Sequence, residues 1–398
     1  MKGSMKLFKV FGIDIKLHFS WWLVFILIAW MLSASFFPQF FPGQTQVMYW
    51  TMGITASLLL FVSVLLHELS HSLVAKAKHI GVESITLFFF GGVAGITRED
   101  MKPSSEFQMA IAGPIFSFLL AGIFFLIYKF NGNILFVEAI TFYLYQLNLI
   151  LAIFNMIPAF PLDGGRALRA ILHAYYKDLK KATHIAAAGG KFFAGVLVFL
   201  GIISLISRLA NGLWFIFLGA FLYFIAGMSY EQVIIKEVLK DIKIKELIHK
   251  KVIKLSPKLP FSDFIKKYSN TEHETFLVMD KHFSGILDTK RIEKMPFKMQ
   301  EMLKLQQVSL PFSQVRTLRS DDNAYTAFRS FMEQNLGILP VMDNGKFRGI
   351  VTRKSVLHRM VWGLKYGIPG KVSDKIALRI EKKISKKKKV KKKSSKKK

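Results

Sequence analysis

The sequence predicts a polytopic α-helical membrane protein of about six transmembrane helices, followed by a cytoplasmic α+β domain and a disordered lysine-rich tail. Three observations carry this. The chain has 398 residues, 52% of them hydrophobic, with 38 Phe and a mean hydropathy of +0.34, well outside the composition of a soluble domain. Six apolar runs each approach the roughly 20 residues needed to cross a bilayer as a helix. Past Tyr230 those runs stop and charged residues become frequent.

The six runs begin near Phe19, Trp50, Phe107, Ile134, Phe192 and Leu213. Lysines before an apolar core ending in "SAS" near Ser33 give the first run the look of a secretory signal, but its apolar length and five further spans weigh against cleavage. Basic residues set the orientation. Lys2, Lys6, Lys9 and Lys16 precede the first span, Lys76, Lys78, Arg98 and Lys102 follow the second, and Arg166, Arg169, Lys177, Lys180 and Lys181 follow the fourth. The opposite loops hold only Lys129 and Arg208. A multi-pass cell-membrane protein with both termini in the cytoplasm is expected, its membrane domain covering residues 1–230.

Residues 235–360 read as a soluble cytoplasmic domain containing a repeat. "TFLVMDKHFSGILDTKRIEKM" and "GILPVMDNGKFRGIVTRKSVLHRM" share a hydrophobic strand, a turn, a second strand entered through Gly285 or Gly349, and a helix. Residues 371–398 end in "EKKISKKKKVKKKSSKKK", which cannot bury enough apolar surface to fold. That tail supplies much of the net charge of +30 and is expected to touch anionic lipid, at about 1 kcal/mol per nearby Lys. Nothing else interleaves base-stacking aromatics with arginines, so no specific nucleic acid partner is expected. With no cysteine in the chain, disulfides, thiolate ligands and a cysteine nucleophile are excluded.

The chemistry concentrates in "FVSVLLHELSHSLVAKA", residues 61–77. Ionisable groups at bilayer depth cost several kcal/mol unless partnered, so they mark function. "HELSH" places His67 and His71 just over one helical turn apart, where both imidazoles project from one face and can bind one ion. Glu68 lies beside the first of them, placed to take a proton from an activated water as general base. The cluster sits about two turns from Lys76, near the cytoplasmic end of its span.

A catalytic zinc takes three protein ligands, and few acidic or His residues remain at the right depth. Glu138 lies at the outer end of its span, while His173, Asp178 and His184 read as solvated surface. Asp163 lies in "FNMIPAFPLDGGRALRAIL", where Pro158, Pro161, Gly164 and Gly165 break the helix as the chain returns to the cytoplasmic side. Broken backbone at that depth belongs in buried protein or a wet cavity. Asp163 is the candidate third ligand; an N-cap for a helix beginning near Arg166 is the alternative reading, compatible with ligation. Asn148 and Asn155, two turns apart on one face, suit either interhelical hydrogen bonds or, for Asn155, an amide offered to an oxyanion.

"HELSH" in the second span together with "NMIPAFPLDGG" after the fourth resembles the site-2 protease family of intramembrane zinc metalloproteases, in its archaeal and bacterial branch with six spans and a C-terminal tandem CBS domain. The resemblance runs from the N-terminus to about Met360. It implies hydrolysis of peptide bonds in single-pass transmembrane substrates, one Zn2+ per chain held by His67, His71 and Asp163, Glu68 as catalytic base, and Asn155 as a transition-state or substrate contact. It also implies a strand-like segment between the second and third spans, for which "ITLFFFGGVAGI", residues 85–96, has the character; an interfacial loop fits the same residues.

Pairs of CBS motifs commonly bind adenine nucleotides and often dimerise. Here the ribose-contacting aspartate position holds Arg291 in the first repeat and Ser355 in the second, while Thr352 matches a phosphate-side hydroxyl and Asp288 occupies its place in the first. A dimerising or gating scaffold without ligand is therefore the alternative to a nucleotide sensor. At the level of the whole chain, the alternative to a protease is a CBS-gated transporter or channel. That would distribute polar groups through several spans or break helices in matching halves, whereas this chain gathers them near one depth.

Overall fold

The first span, α1 (Ser20–Phe40), carries a π-helical turn over Leu32–Phe36 and is followed by the long α2 (Gln46–Ala77), capped by Thr45, whose Oγ1 accepts from Met48 N. Then come α3 (Pro103–Phe130), α4 (Leu135–Met156), the shorter α5 (Asp163–Tyr176), α6 (Leu179–Ile206) and α7 (Gly212–Leu239). All but α5 are long and apolar enough to cross a membrane, which gives six candidate spans. The computed structural model describes residues 4–89, 91–96, 101–207, 212–250, 252–268, 275–288 and 303–367; the lysine-rich tail and Arg291 lie outside them.

Helix α6 starts at Leu179, well before the apolar run that marks it in the sequence. Asp178 Oδ1 caps it by accepting from Lys180 N and Lys181 N, and Ala182, Ala186, Ala187 and Gly190 form a small-residue buried face that allows close helix packing. A residue expected as solvated charge thus opens a helix.

Four strands lie against α2. Strands β1 (Ser4–Val10), β2 (Ile13–His18), β3 (Val82–Phe88) and β4 (Gly91–Ile96) form one sheet in that order, with β2 and β3 parallel and the other pairs antiparallel. Ile13, Ile15 and Leu17 alternate inward and pack with Ile85, Leu87, Leu69 and Phe61, so the sheet covers the half of α2 that carries "HELSH". Residues 85–88 and 91–96 take the strand alternative. The first two strands were read only as a basic flank: β1 is exposed along most of its length and carries a bulge between Lys6 and Phe8, while the alternation of Ile13, Ile15 and Leu17 in β2 was there to be read.

The chain divides into units Met1–Tyr230 and Glu231–Lys398. In the second, β5 (Lys254–Leu255) runs parallel to β6 (Thr275–Met279), which forms a hairpin with β7 (Ser284–Asp288), and β7 pairs with β8 (Leu310–Pro311). The second repeat matches this. A parallel bridge joins Leu318 to Val341 in β9 (Ile338–Asp343), β9 forms a hairpin with β10 (Lys346–Thr352), and His249 bridges antiparallel to Ile350. Helices α8 (Phe261–Tyr268) and α9 (Ala324–Gln334) fill corresponding places, and α10 (Arg353–Trp362) follows β10. Each hairpin is thus edged by the segment that introduces the other repeat, so the two repeats interlock.

Candidate metal centre

Helix α2 delivers both imidazoles to one point, as a spacing of four residues requires. His67 and His71 are 4% and 6% exposed and Asp163 is 9% exposed. His67 Nε2 lies 3.2 Å from His71 Nε2 and 3.2 Å from Asp163 Oδ2; His71 Nε2 lies 3.1 Å from the same oxygen. Asp163 is the first helical residue of α5, with Leu162 as N-cap and no capping hydrogen bond from a side chain. The N-cap alternative is replaced by a carboxylate turned toward the histidines, with Arg166 Nη1 3.7 Å from its other oxygen.

The second ring nitrogens fix what the first ones can do. His71 Nδ1 is 2.5 Å from the Met109 carbonyl, which can only accept, so Nδ1 carries a proton and the neutral tautomer this contact selects has its lone pair at Nε2. His67 Nδ1 lies 2.8 Å from Ser117 Oγ. With each Nδ1 held by a partner on α3, both Nε2 atoms and Asp163 Oδ2 are turned toward one point in a buried place, where a cation would take all three as ligands. Tetrahedral zinc with N and O ligands has ligand-to-ligand edges of about 3.3 Å. The triangle observed is close to that size, so these residues fit the group.

Helix α3 closes the site. A Cβ at Gly113 would lie 2.2 Å from His71 Nε2 and 2.6 Å from His67 Nε2, so only glycine lets this helix come so near. Strand β4 does the same for Glu68, since a Cβ at Gly92 would lie 2.3 Å from Glu68 Cγ. The carboxyl arm of Glu68 thus runs directly beneath the edge strand of the sheet.

Asn148 is fully buried and donates to Ser63 Oγ at 3.2 Å and to Leu144 O at 2.8 Å, which is the interhelical role. Asn155 sits half-buried in the last turn of α4. Among the described residues its amide makes no hydrogen bond with the cluster. Sequence reasoning missed Ser117, the Met109 carbonyl and Gly113, and read Gly92 only as a permissive residue of the strand-like segment. A serine and a glycine inside the otherwise apolar "AIAGPIFSFLL" were available as a signal; the backbone carbonyl left none.

In the second unit, Glu246, His249, Thr352, Ser355, His358 and Arg359 line a cavity of about 370 Å3. Thr352 N-caps α10 by accepting from Ser355 N at 3.0 Å, and Ser355 Oγ donates back to Thr352 O at 2.8 Å. Asp288 closes β7, buried.

Six helices long and apolar enough to cross a membrane, with a buried His-His-carboxylate cluster and a glutamate next to the first histidine, fit a membrane-embedded metalloprotease. The model of peptidase family M50 matches residues 55–142 and 132–200, and that of the CBS domain matches 308–361. The protein sll0528 of Synechocystis sp., provisionally named a zinc metalloprotease, is 31% identical over 373 residues, covering 90% of this chain and 95% of that one. Zinc metalloprotease MJ0392 of Methanocaldococcus jannaschii is 29% identical over 362 residues, 90% and 97% of the two chains. The solved site-2 protease of M. jannaschii shares 35% identity over 57% of this chain and 95% of that chain, at a TM-score of 0.39. The chain belongs to peptidase family M50, the site-2 protease family, and is an intramembrane protease.

Proposed function

We propose that this protein is a zinc endopeptidase that hydrolyses peptide bonds of single-pass transmembrane substrates, with one Zn2+ per chain held by His67, His71 and Asp163. The observation that carries the reading is the triangle of Nε2, Nε2 and Oδ2 at 3.1–3.2 Å, with the His71 tautomer set by the Met109 carbonyl. Bound there, zinc supplies Lewis-acid polarisation and a water of lowered pKa.

The chain's own residues have separable tasks. Ser117 and the Met109 carbonyl orient the imidazoles. Glu68 takes the water's proton and passes it to the leaving amine, a contribution of about 10²–10⁴ in rate. Asn155 offers its amide to the carbonyl oxygen under attack. Strand β4, an edge of its sheet lying on Glu68, can hold an unwound substrate segment by main-chain pairing, since amides tied up in a helix are closed to hydrolysis.

Domain boundaries at 1–230, 235–360 and 371–398 are part of the same reading, as are cytoplasmic termini and an anionic-lipid contact for the tail. The CBS pair modulates the protease, either as a homodimerising scaffold or through an adenine nucleotide. The bonding of Thr352 and Ser355 to each other within one helical turn favours the scaffold.

The test is detergent-purified protein, wild type and Glu68→Gln, incubated with membrane-spanning peptides and assayed for cleavage and bound metal. Zinc should stay near one per chain while cleavage is lost. Equal cleavage by the two forms would remove Glu68 from its role.

A further inference from the structure

We propose that Glu106 and Arg169 form a positioning latch that sets Asp163 against the histidine pair; this rests on the metal-centre reading above. Glu106 stands in the first turn of α3 and is only 3% exposed. Arg169, on α5, directs both Nε, at 2.8 Å, and Nη2 onto the same oxygen, Oε1. The sequence counted Arg169 among the loop charges that set membrane orientation; it is also half of an ion pair whose carboxylate is buried.

The latch ties α5, which carries Asp163, to α3, whose Met109 carbonyl and Ser117 hold the two imidazoles of α2. Helix α3 carries Glu106, Met109, Gly113 and Ser117 at intervals of three and four residues, one stripe along a single face. The stripe supplies, in order, the anion for Arg169, the acceptor for His71, the gap that admits both rings and the partner of His67. Helix α5 carries Asp163 and Arg169. The guanidinium also stacks 4.9 Å above the Phe160 ring, in the broken segment just before Asp163, and Phe160 N donates to Ala186 O of α6 at 3.3 Å.

Stability alone gives no reason for such a pair. Burying two charges cancels most of their attraction, and apolar side chains of similar volume commonly do as well or better. Directionality is what an apolar pair lacks: two N–H donors converging on one carboxylate oxygen permit a single register of α5 on α3. A sub-ångström slip would move Oδ2 off the apex that both Nε2 atoms face.

The experiment uses the full-length protein in detergent and compares wild type with the apolar pair Glu106→Leu/Arg169→Met and with Arg169→Lys. Zinc release into a fluorescent chelator is timed, thermal unfolding of the chelator-stripped protein is recorded, and kcat and KM are measured separately. The apolar pair should melt near wild type yet release zinc at least about tenfold faster, with kcat lowered and KM unchanged. Arg169→Lys, which keeps the charge but loses the fork, should release zinc at an intermediate rate. An apolar pair that folds and holds zinc as wild type does would overturn the latch. Should that pair not fold, wild-type release by Arg169→Lys would overturn it equally. A wild-type protein that binds no zinc would defeat the metal-centre reading instead.

Discussion

The centre in the membrane unit and the cleft at the start of α10 both gather polar side chains, but they hold them differently. At the centre, each group finds its partner on another element: His67 on α3, His71 on the α3 backbone, Asp163 across from α5, Arg169 back to Glu106. In the cleft, Thr352 and Ser355 satisfy each other within one turn. At the far end of the β9–β10 hairpin, the Ser320 hydroxyl and amide, both donating to Asp343, hold that carboxyl below its usual range at a solvated surface. Long-range partners in a dry setting mean that removing one group strands another. Local partners at a surface mean that it does not.

The sharpest way to break this contrast is Asp163→Asn. An amide is a poor ligand, so zinc affinity should fall by more than about 100-fold and cleavage with it; unchanged zinc content by elemental analysis would place the third ligand elsewhere. Next comes Gly113→Ala, which improves helix propensity by about 1 kcal/mol yet drives a methyl to within 2.2 Å of His71 Nε2. Retained helical content by circular dichroism with metal affinity lowered about 10–100-fold is the expected pair of results, and wild-type metal binding would show that α3 does not press on the rings. Ser117→Ala removes the His67 Nδ1 partner and should weaken zinc about tenfold in a chelator competition. The smallest effect belongs to the cleft. Thr352→Val should cost about 1 kcal/mol of helix capping in thermal unfolding while leaving cleavage within about twofold; a large loss of cleavage would reveal coupling that local bonding does not suggest.

The same contrast explains what the sequence disclosed. Six spans, "HELSH" and the broken segment before Asp163 were legible because the bilayer makes misplaced polarity expensive, so each such residue in an apolar run needs a reason. The tandem repeat was legible from two similar hairpins, and their interlocking was not, because it rests on two short edge pairings, His249 with Ile350 and Leu310–Pro311 with β7. Strands β1 and β2 were hidden in a lysine-bearing flank, as side chains such as Lys6 and Lys16 read as topology signals while pairing across a sheet. Gly113 and the Met109 carbonyl act by backbone and by absence of a side chain, and only an approach distance reveals either.

The central claim is that two imidazoles from α2 and one carboxylate from α5 share one zinc ion. X-ray absorption at the zinc edge, on purified full-length protein as wild type and Asp163→Asn, tests it most directly. The account predicts a first shell of light atoms at about 2.0–2.1 Å with scattering from two imidazoles, and a shell that loses an oxygen or empties in the variant. A wild-type spectrum with fewer than two imidazoles, or one identical in the variant, would contradict it.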